Sequence, residues 1–361
     1  MLVHICCSVD SHFFLQKLQN AYPDERLISF FYNPNIHPYS EYQLRLLDVK
    51  RSCKMLNIEL IEGEYNYEGW INAVRGFENE PEKGARCDIC FDNRLQITAK
   101  EAVKLGETSI TTTLLTSPKK SIEQLKAVGE NIKHSYGVDF VAPDFRKGGG
   151  TQEQFALAKK DMLYHQDYCG CIYALTRQRE GQRRVADELF SPISKQIQPE
   201  SIEEKIELYK KRIELEEKGE KYKIIRDSFL NYRLFMAYVK CENEVLPSYF
   251  LNYSILKRKF QKIKIEYKIK DIYFANRESI KFITLSTFNK LLKSTYHNIQ
   301  DIIDFPPTFE EEILLRNKIV YNNYTFSPII VLKDIKVNSK YKLFLNALTY
   351  EDTRESLVTF G

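Results

Sequence analysis

Short apolar runs alternate with longer stretches of helical periodicity along the first half of the chain. The stretches between the runs repeat their apolar positions every three to four residues, which indicates helices packed on a sheet. The runs themselves are typical of buried strands and lie at residues 2–6, 27–32, 58–62, 109–115 and 140–143. Strands that alternate with helices in this way predict an α/β fold, a doubly wound parallel sheet with helices on both faces.

Capping residues predict where several of the helices begin. Ser8 or Asp10 can cap the first helix, and residues 40–43 match a capping box. Residues 201–204 match a second capping box. Further helices are predicted at about residues 69–77, 93–105, 117–133 and 152–164.

The pattern changes near residue 191, beyond which Lys, Tyr and Phe become frequent. Residues 196–199 have the character of a linker, and a charged helix follows to about Gly219. Strand-like alternation then returns at residues 262–269 and 329–333. A chain of 361 residues suits two domains. We therefore predict a first domain at residues 1–193 and an additional small α+β domain at residues 194–361.

Composition narrows the class of protein. The net charge of +4 permits a polyanionic partner without requiring one. The chain has no apolar run of 18 residues and no basic segment ahead of its first strand, so we expect neither a transmembrane helix nor a signal peptide. We therefore expect the protein to be cytoplasmic. In that reducing compartment its eight cysteines are not expected to form disulfides.

Six of the cysteines stand in three tight clusters, Cys6-Cys7, Cys87-x-x-Cys90 and Cys169-x-Cys171. The first cluster follows the first predicted strand. Because ligands of parallel sheets lie beyond the carboxyl ends of the strands, we expect all six thiols to converge on a metal site in one crevice there. The two solitary cysteines, Cys53 and Cys241, are expected to be buried structural residues.

The cysteine spacing leaves several metal centres open. Six thiolates exceed the four that a tetrahedral zinc or an Fe–S cluster takes. We expect the adjacent Cys6 and Cys7 to serve two neighbouring metal atoms more easily than one, and Asp10 would suit an iron with an open position. A structural zinc bound by the CxxC and CxC clusters, an Fe–S cluster with a second metal or a redox pair, and a thiol redox relay all fit the pattern.

Basic clusters border the predicted crevice. They are Lys119-Lys120, Arg146-Lys147 and the arginines of residues 177–184, and each fits phosphate contacts or a solvated helix face equally well. The triplet Gly148–Gly150 ahead of a helix could hold a phosphate, although a plain flexible turn is the simpler interpretation.

Four segments taken jointly resemble the cobalamin-independent epoxyqueuosine reductases of the QueH type. They are residues 4–10, residues 31–38 with Glu41, Tyr42 and Arg45, residues 86–91 with Arg94 and Leu95, and residues 168–171. The resemblance covers residues 1–184. It implies a HUP-like α/β domain, related to PP-loop ATPases, that carries metals where those enzymes bind ATP. It also implies reductive removal of the epoxide oxygen from epoxyqueuosine at the wobble position of tRNA.

The resemblance further implies a [4Fe–4S] cluster beside a mononuclear iron, with an unidentified low-potential electron donor. The six clustered cysteines would supply the thiolates, and Asp10 would be a carboxylate ligand of the single iron. We expect four thiolates on the cluster and two, with Asp10 and a cluster sulfide, on the iron; which cysteine serves which metal stays open. His37 or Tyr168 could supply a proton, or could simply be structural hydrogen-bonding residues.

Two other functions compete with this resemblance. One is an Fe–S PP-loop-like tRNA-modifying enzyme of the thiolase type, but residues 6–11 lack the glycines through which such a loop approaches phosphate. The other is a zinc-stabilised nucleic-acid-binding module. The resemblance gives no information on residues 191–361. The second domain predicted there could contact tRNA or mediate dimerisation.

Overall fold

The computed structural model describes residues 1–117, 120–189, 195–277, 280–320 and 325–360. The chain forms two compact units. The first contains Met1–Ala186, Ile206–Ile224 and Thr359–Gly361, and the second contains Asp187–Lys205 and Ile225–Val358. The predicted boundary between residues 193 and 194 lies outside the described residues and stays a prediction.

A parallel sheet forms the centre of the first unit. Its five strands are β1 (Leu2–Ile5), β2 (Ile28–Phe31), β3 (Glu59–Glu62), β4 (Ser109–Thr112) and β5 (Asp139–Phe140). Their order is β3-β2-β1-β4-β5, and every neighbouring pair is parallel. All residues of β1 and β2 are buried, as continuous apolar strands of a covered sheet must be. The predicted α/β fold with a parallel sheet is therefore confirmed, and the order reverses beside β1, where such sheets bind ligands.

Helices of the first unit connect and cover these strands. They are α1 (Ser8–Ala21), α2 (Tyr39–Leu56), α3 (Tyr67–Ala73), α4 (Ala85–Leu105), α5 (Ile122–Tyr136), α6 (Gly150–Lys160) and α7 (Ile172–Gly181), followed by α8 (Ile202–Glu217), most of which also belongs to this unit. The hydrophobic core of the first unit lies between β1 and β2 and the apolar sides of α1, α2 and α4.

Several predicted boundaries are wrong. Helix α4 begins at Ala85 instead of residue 93, so the CxxC cluster lies within its first two turns. Helix α5 begins at Ile122 instead of residue 117, because Ser121 caps it by accepting a hydrogen bond from the Gln124 amide. The capping box predicted at residues 40–43 is absent, since Pro38 is the N-cap of α2 and makes no side-chain cap.

The second unit contains an eight-stranded sheet in the order β7-β6-β13-β9-β10-β11-β12-β8. Its strands are β6 (Tyr222–Cys241), β7 (Glu244–Leu246), β8 (Tyr249–Phe250), β9 (Phe260–Ile269), β10 (Ile272–Ala275), β11 (Lys281–Thr284), β12 (Ile329–Leu332) and β13 (Lys340–Thr359). Its helices, within the described ranges, are α9 (Leu285–Leu292), α10 (Ile299–Asp304) and α11 (Phe309–Ile319). Strands β9 and β12 correspond to the two predicted strands.

Among the residues that the structure describes, two apolar clusters stabilise the second unit. One lies on the side of the sheet that carries Ile263, Phe282 and Leu343. The other lies between the opposite side of β8, β11 and β12 and the three helices. Cys241 packs partly buried against the first of these clusters, whereas Cys53 is fully buried in the core of the first unit, as predicted. In the part of the chain that the structure describes, no helix combines the length and apolar character needed to cross a membrane.

Candidate metal centre

The junction between β1 and α1 brings two thiols and a carboxylate together. Cys7 is the N-cap residue of α1 and makes no side-chain cap, so the predicted capping by Ser8 or Asp10 is wrong. Ser8 instead donates a hydrogen bond to the Asp48 carboxylate. The Asp10 carboxylate accepts a hydrogen bond of 2.7 Å from Gln154 Nε2, and both side chains are buried. This contact with α6 holds one Asp10 oxygen and orients the other towards the thiols.

The three donor atoms are close enough to share one metal ion. Cys6 Sγ lies 3.8 Å from Cys7 Sγ and 3.9 Å from Asp10 Oδ2. Two thiolates bound tetrahedrally about 2.3 Å from one metal lie roughly 3.8 Å apart. This geometry favours one shared metal atom over the expected two, and the assignment of Cys6 and Cys7 to metals stays a prediction. The chain turns from strand to helix at Cys7, so the alternation of side chains along a strand does not continue there.

Electrostatics at this junction favour a cation. A hydrogen bond with the Cys7 thiol, aided by Arg94, lowers the pKa of Cys6 well below its ordinary value. The same contact and burial raise the pKa of Cys7. Burial and the neighbouring Cys6 thiolate raise the pKa of Asp10 to about 7. A metal ion that displaced these protons would neutralise negative charge that the buried site otherwise disfavours.

The other four clustered cysteines line a second, smaller cavity. Cys87 and Cys90 come from the start of α4, and Cys169 and Cys171 come from the turn before α7. Among the described residues, no three of these thiols approach one another as closely as the Cys6, Cys7 and Asp10 group does. Their spacing is therefore wider than that of a site for one ion.

A buried lysine lies against this second group. Lys120 Nζ donates a hydrogen bond of 3.2 Å to Cys169 Sγ, and the lysine side chain is 6% exposed. Burial would raise the pKa of Cys169, but Lys120 and Arg94 outweigh it and lower that pKa. Burial raises the pKa of Cys87, Cys90 and Cys171. One thiolate of the group is thus stabilised by a fixed cation.

The two groups are neighbours in the first unit. A cavity of about 310 Å³ opens beside Cys6 and Asp10 and is also lined by Cys169. Cys169, Arg94 and Lys120 border this cavity and the smaller one alike. Cys7 lines neither cavity and lies behind Cys6. The arrangement can hold two metal groups side by side, with open space next to Cys6 and Asp10.

Two other predicted residues occupy different positions. Tyr168 lines the larger cavity, but its hydroxyl donates a hydrogen bond of 2.7 Å to the His37 carbonyl. The His37 ring stacks on Tyr67 at 4.9 Å and lines neither cavity. Burial lowers the pKa of His37. The structure therefore places the Tyr168 side chain near the site and the His37 ring outside it.

Most cations predicted to contact phosphate have partners within the protein. The Arg146 guanidinium donates to the carbonyls of Leu115 and Lys120, and Arg177 donates to two carbonyls of the segment before α4. Lys119 lies outside the described residues. Gly150 is required for packing, because a Cβ there would lie 1.8 Å from the Phe145 carbonyl oxygen. Phosphate binding by residues 148–150 stays a prediction. These groups support the fold of the site.

Sequence reasoning missed two contributors to the site. Lys120 is predicted to border the crevice, where it fits phosphate contacts or a solvated helix face, and nothing in its local pattern signals that it is buried against a cysteine. Gln154 was one polar residue of a predicted helix. Arg94 belongs to one of the segments that resemble the family, but the sequence assigns it no role. In the structure it donates hydrogen bonds to Asn33 Oδ1 and to His4 Nε2, near the ends of β2 and β1.

Comparisons with known proteins agree on one family. The family model described as epoxyqueuosine reductase QueH matches residues 1–177. An epoxyqueuosine reductase QueH of Helicobacter pylori is 40% identical over 355 residues, which are 92% of this chain and 94% of that protein. One of Thermotoga maritima is 36% identical over 189 residues, which are 52% of this chain and 95% of its own length.

A solved structure gives a looser match. The U34-tRNA thiolase NcsA from Methanococcus maripaludis with its [4Fe-4S] cluster is 15% identical. The match covers 59% of this chain and 72% of that one, with a TM-score of 0.32.

Proposed function

The chain belongs to the epoxyqueuosine reductase QueH family and is an oxidoreductase of queuosine biosynthesis, and we propose that it carries out its reaction at a metal centre held by six cysteines and Asp10. The observation that carries the proposal is the convergence of Cys6, Cys7 and Asp10 beside a cavity that Cys6 and Asp10 line together with Cys169. The substrate is epoxyqueuosine in the wobble position of tRNA. Removing its epoxide oxygen to leave an alkene takes two electrons and two protons and releases water.

The four cysteines of the smaller cavity would hold a [4Fe–4S] cluster. Such a cluster takes four thiolates, one at each iron, so its ligands stand farther apart than those of a single ion. The spacing of Cys87, Cys90, Cys169 and Cys171 supports this assignment over a structural zinc site. Lys120 and Arg94 would offset part of the negative charge of the cluster and its thiolates.

Cys6, Cys7 and Asp10 would hold the mononuclear iron. The distances between their donor atoms match those of ligands on one metal ion. When bound, the two metal groups supply low-potential electrons and a Lewis acid for the epoxide oxygen. Gln154 fixes the Asp10 carboxylate, and this restraint would keep one side of the site open towards the cavity.

The larger cavity would receive the modified base. Its volume of about 310 Å³ lies at the low end of the range of small-molecule sites. Tyr168 and His165 line it and are the candidates for a proton donor that can reach the substrate. Tyr168 would have to release the His37 carbonyl first, and we retain His37 only as the residue that orients Tyr168. The finer fold assignment, a HUP-like domain related to PP-loop enzymes, accords with a site at the end of β1.

Turnover of the natural substrate tests this function. The anaerobically purified and reduced protein is incubated with tRNA that contains epoxyqueuosine, and nucleosides are then analysed by mass spectrometry. We expect queuosine to form, together with iron and labile sulfide in the purified protein. Absence of queuosine with an intact cluster would refute the proposed function, and zinc without iron or sulfide would refute the proposed metal centre.

A further inference from the structure

One part of the sheet in the second unit is open on its outer side. The buried apolar residues of β9 and β13 all belong to one cluster, and they include Ile263, Ile265, Leu343 and Leu345. Because side chains alternate along a strand, the residues between these point to the other side. The three helices pack on β8, β11 and β12 and form the other cluster there. The outer side of β6, β9 and β13 lies beyond that cluster.

The open side is basic and aromatic. We call it the lysine face, and it consists of five lysines and three aromatic residues: Lys240, Lys262, Lys264, Lys340, Lys342, Tyr238, Phe260 and Phe344. The register of β13 against β9 makes Lys340 a partner of Lys264 and Lys342 a partner of Lys262. Like charges directly opposite each other destabilise a sheet, so two adjacent Lys–Lys pairs work against folding.

The lysines of this face lack acidic partners. Within the described ranges, none of the five forms an ion pair with a carboxylate within 4.0 Å, whereas many other lysines and arginines of the chain do. Glu266, the acid that follows on β9, is exposed and makes no ion pair with them either, within those same ranges. The face therefore presents concentrated positive charge that no ion pair among the described residues neutralises, and an external anion would do so.

The aromatic residues form a row beside the lysines. Phe344 is the register partner of Phe260, and its ring stacks on Tyr238 with centroids 5.2 Å apart and planes 12° apart. Lys240 Nζ lies 5.2 Å from the centre of the Tyr238 ring. Phe260 is 47% exposed. Open aromatic rings flanked by cations on a sheet can stack unpaired bases while the cations contact phosphates.

We propose that the lysine face binds the RNA of the tRNA substrate, with phosphates on the lysine pairs and an unpaired nucleotide on the aromatic row. This inference rests on the proposed function, which makes tRNA the substrate. Charge complementarity identifies the occupant, because the face carries five cations and RNA is a polyanion. An anionic membrane surface carries negative charge as RNA does, but it is not a substrate of the reaction. Membrane binding is therefore an alternative outcome of the test.

The test measures tRNA affinity of the full-length protein at several salt concentrations by fluorescence anisotropy. The variant K262E/K342E replaces one Lys–Lys pair with a Glu–Glu pair, so repulsion across the strands is kept while the sign of the charge changes. We expect the slope of log affinity against log salt to fall by about 2, as for two lost phosphate contacts. The loss of tRNA affinity in K262E/K342E relative to wild type should then be roughly tenfold larger at 50 mM than at 200 mM salt.

Matched variants separate binding from folding. K318E/K333E makes the same change in charge on α11 and after β12, and we expect it to bind tRNA with nearly wild-type affinity and salt slope. The single variant K262E creates an opposite-charge pair with Lys342, so it should not lower the melting temperature, yet it should weaken tRNA binding. F260A should weaken binding without changing the salt slope, since stacking releases no counterions.

The outcomes distinguish this inference from the proposed function. Unchanged affinity and salt slope in K262E/K342E would overturn the lysine face, as would an equal loss in K318E/K333E. If K262E/K342E lost binding to anionic lipid vesicles but kept its tRNA binding, the face would be assigned to a membrane surface. That result would also overturn the inference. If the wild-type protein forms no queuosine while K262E/K342E still loses tRNA affinity, the proposed function fails and the RNA-binding face stands.

Discussion

A buried ion pair connects α8 to α2 within the first unit, and its removal should destabilise that unit strongly. Arg212 Nη2 donates to Asp48 Oδ1, and both side chains are 0% exposed. The other Asp48 oxygen accepts hydrogen bonds from Ser8 Oγ and from the Tyr164 amide. Arg212 Nη1 also donates to the Met162 carbonyl at 2.6 Å. The carboxylate thus joins α1, the segment after α6 and α8 next to Cys7.

The substitution Arg212→Met removes the cation and leaves the carboxylate buried. Breaking a buried pair on one side costs about 3–5 kcal/mol, because the remaining charge is uncompensated. Arg51 is a second cation that interacts with Asp48, although its guanidinium is already paired with Glu216 at 2.8 Å. We therefore expect a loss near the lower end of that range, about 3 kcal/mol in the free energy of unfolding.

Intrinsic fluorescence provides an assay that is specific for this unit. Trp70 is the single tryptophan of the chain, is 1% exposed and belongs to the first unit. Because it also lines the four-cysteine cavity, urea unfolding of all variants must be compared in the same metal state. The double variant D48N/R212M, which carries neither charge, should be more stable than R212M alone. A loss below 1 kcal/mol in R212M, or a double variant less stable than the single one, would refute the reasoning.

Three further predictions concern the metal centre and the second unit. Asp10→Ala should lose the iron bound by the Cys6 group but keep labile sulfide; metal and sulfide analysis would contradict the proposed partition if both were lost. Lys120→Met should lower the reduction potential of the cluster by on the order of 50 mV, because a cation 3.2 Å from Cys169 Sγ is removed, and an unchanged potential in a redox titration would disprove this contribution. Burial raises the pKa of Glu312 to about 7 from an ordinary 4.5, so its contribution to stability is complete below pH 4.5 and is lost as the pH rises through 7. Wild type should lose about 3 kcal/mol relative to Glu312→Gln across that window, and parallel pH profiles of unfolding would contradict it.

The sequence predicts the sheet and the cysteine clusters because both are local patterns. The buried runs of β1 and β2 need no knowledge of distant residues, and neither do the spacings of Cys87-x-x-Cys90 and Cys169-x-Cys171. The sequence does not signal the start of α4, because Gly84 makes no side-chain cap and no capping signal precedes Ala85. Lys120 and Gln154 reach the site only through tertiary packing, which a local pattern does not encode.

The convergence of Cys6 and Cys7 shows where pattern rules fail. Alternation along a strand would send their side chains to opposite faces, but the chain enters α1 at Cys7 and the rule stops applying.

Helix α8 is a second case in which a sequence pattern does not predict the structure. The resemblance to a family ended near residue 184, yet residues 206–224 pack with the first unit and supply Arg212. A domain boundary placed by composition alone cannot account for such a segment.

The proposed metal centre and the proposed lysine face lie in different units and should affect different kinetic parameters. Bond breaking is proposed for the first unit, where all six clustered cysteines and Asp10 lie. Changes in the lysine face should raise the tRNA concentration needed for turnover and leave the turnover rate at saturation unaltered. Changes at Asp10 should abolish that rate while tRNA affinity is retained, and a lysine-face variant that lowered only the saturated rate would contradict this division.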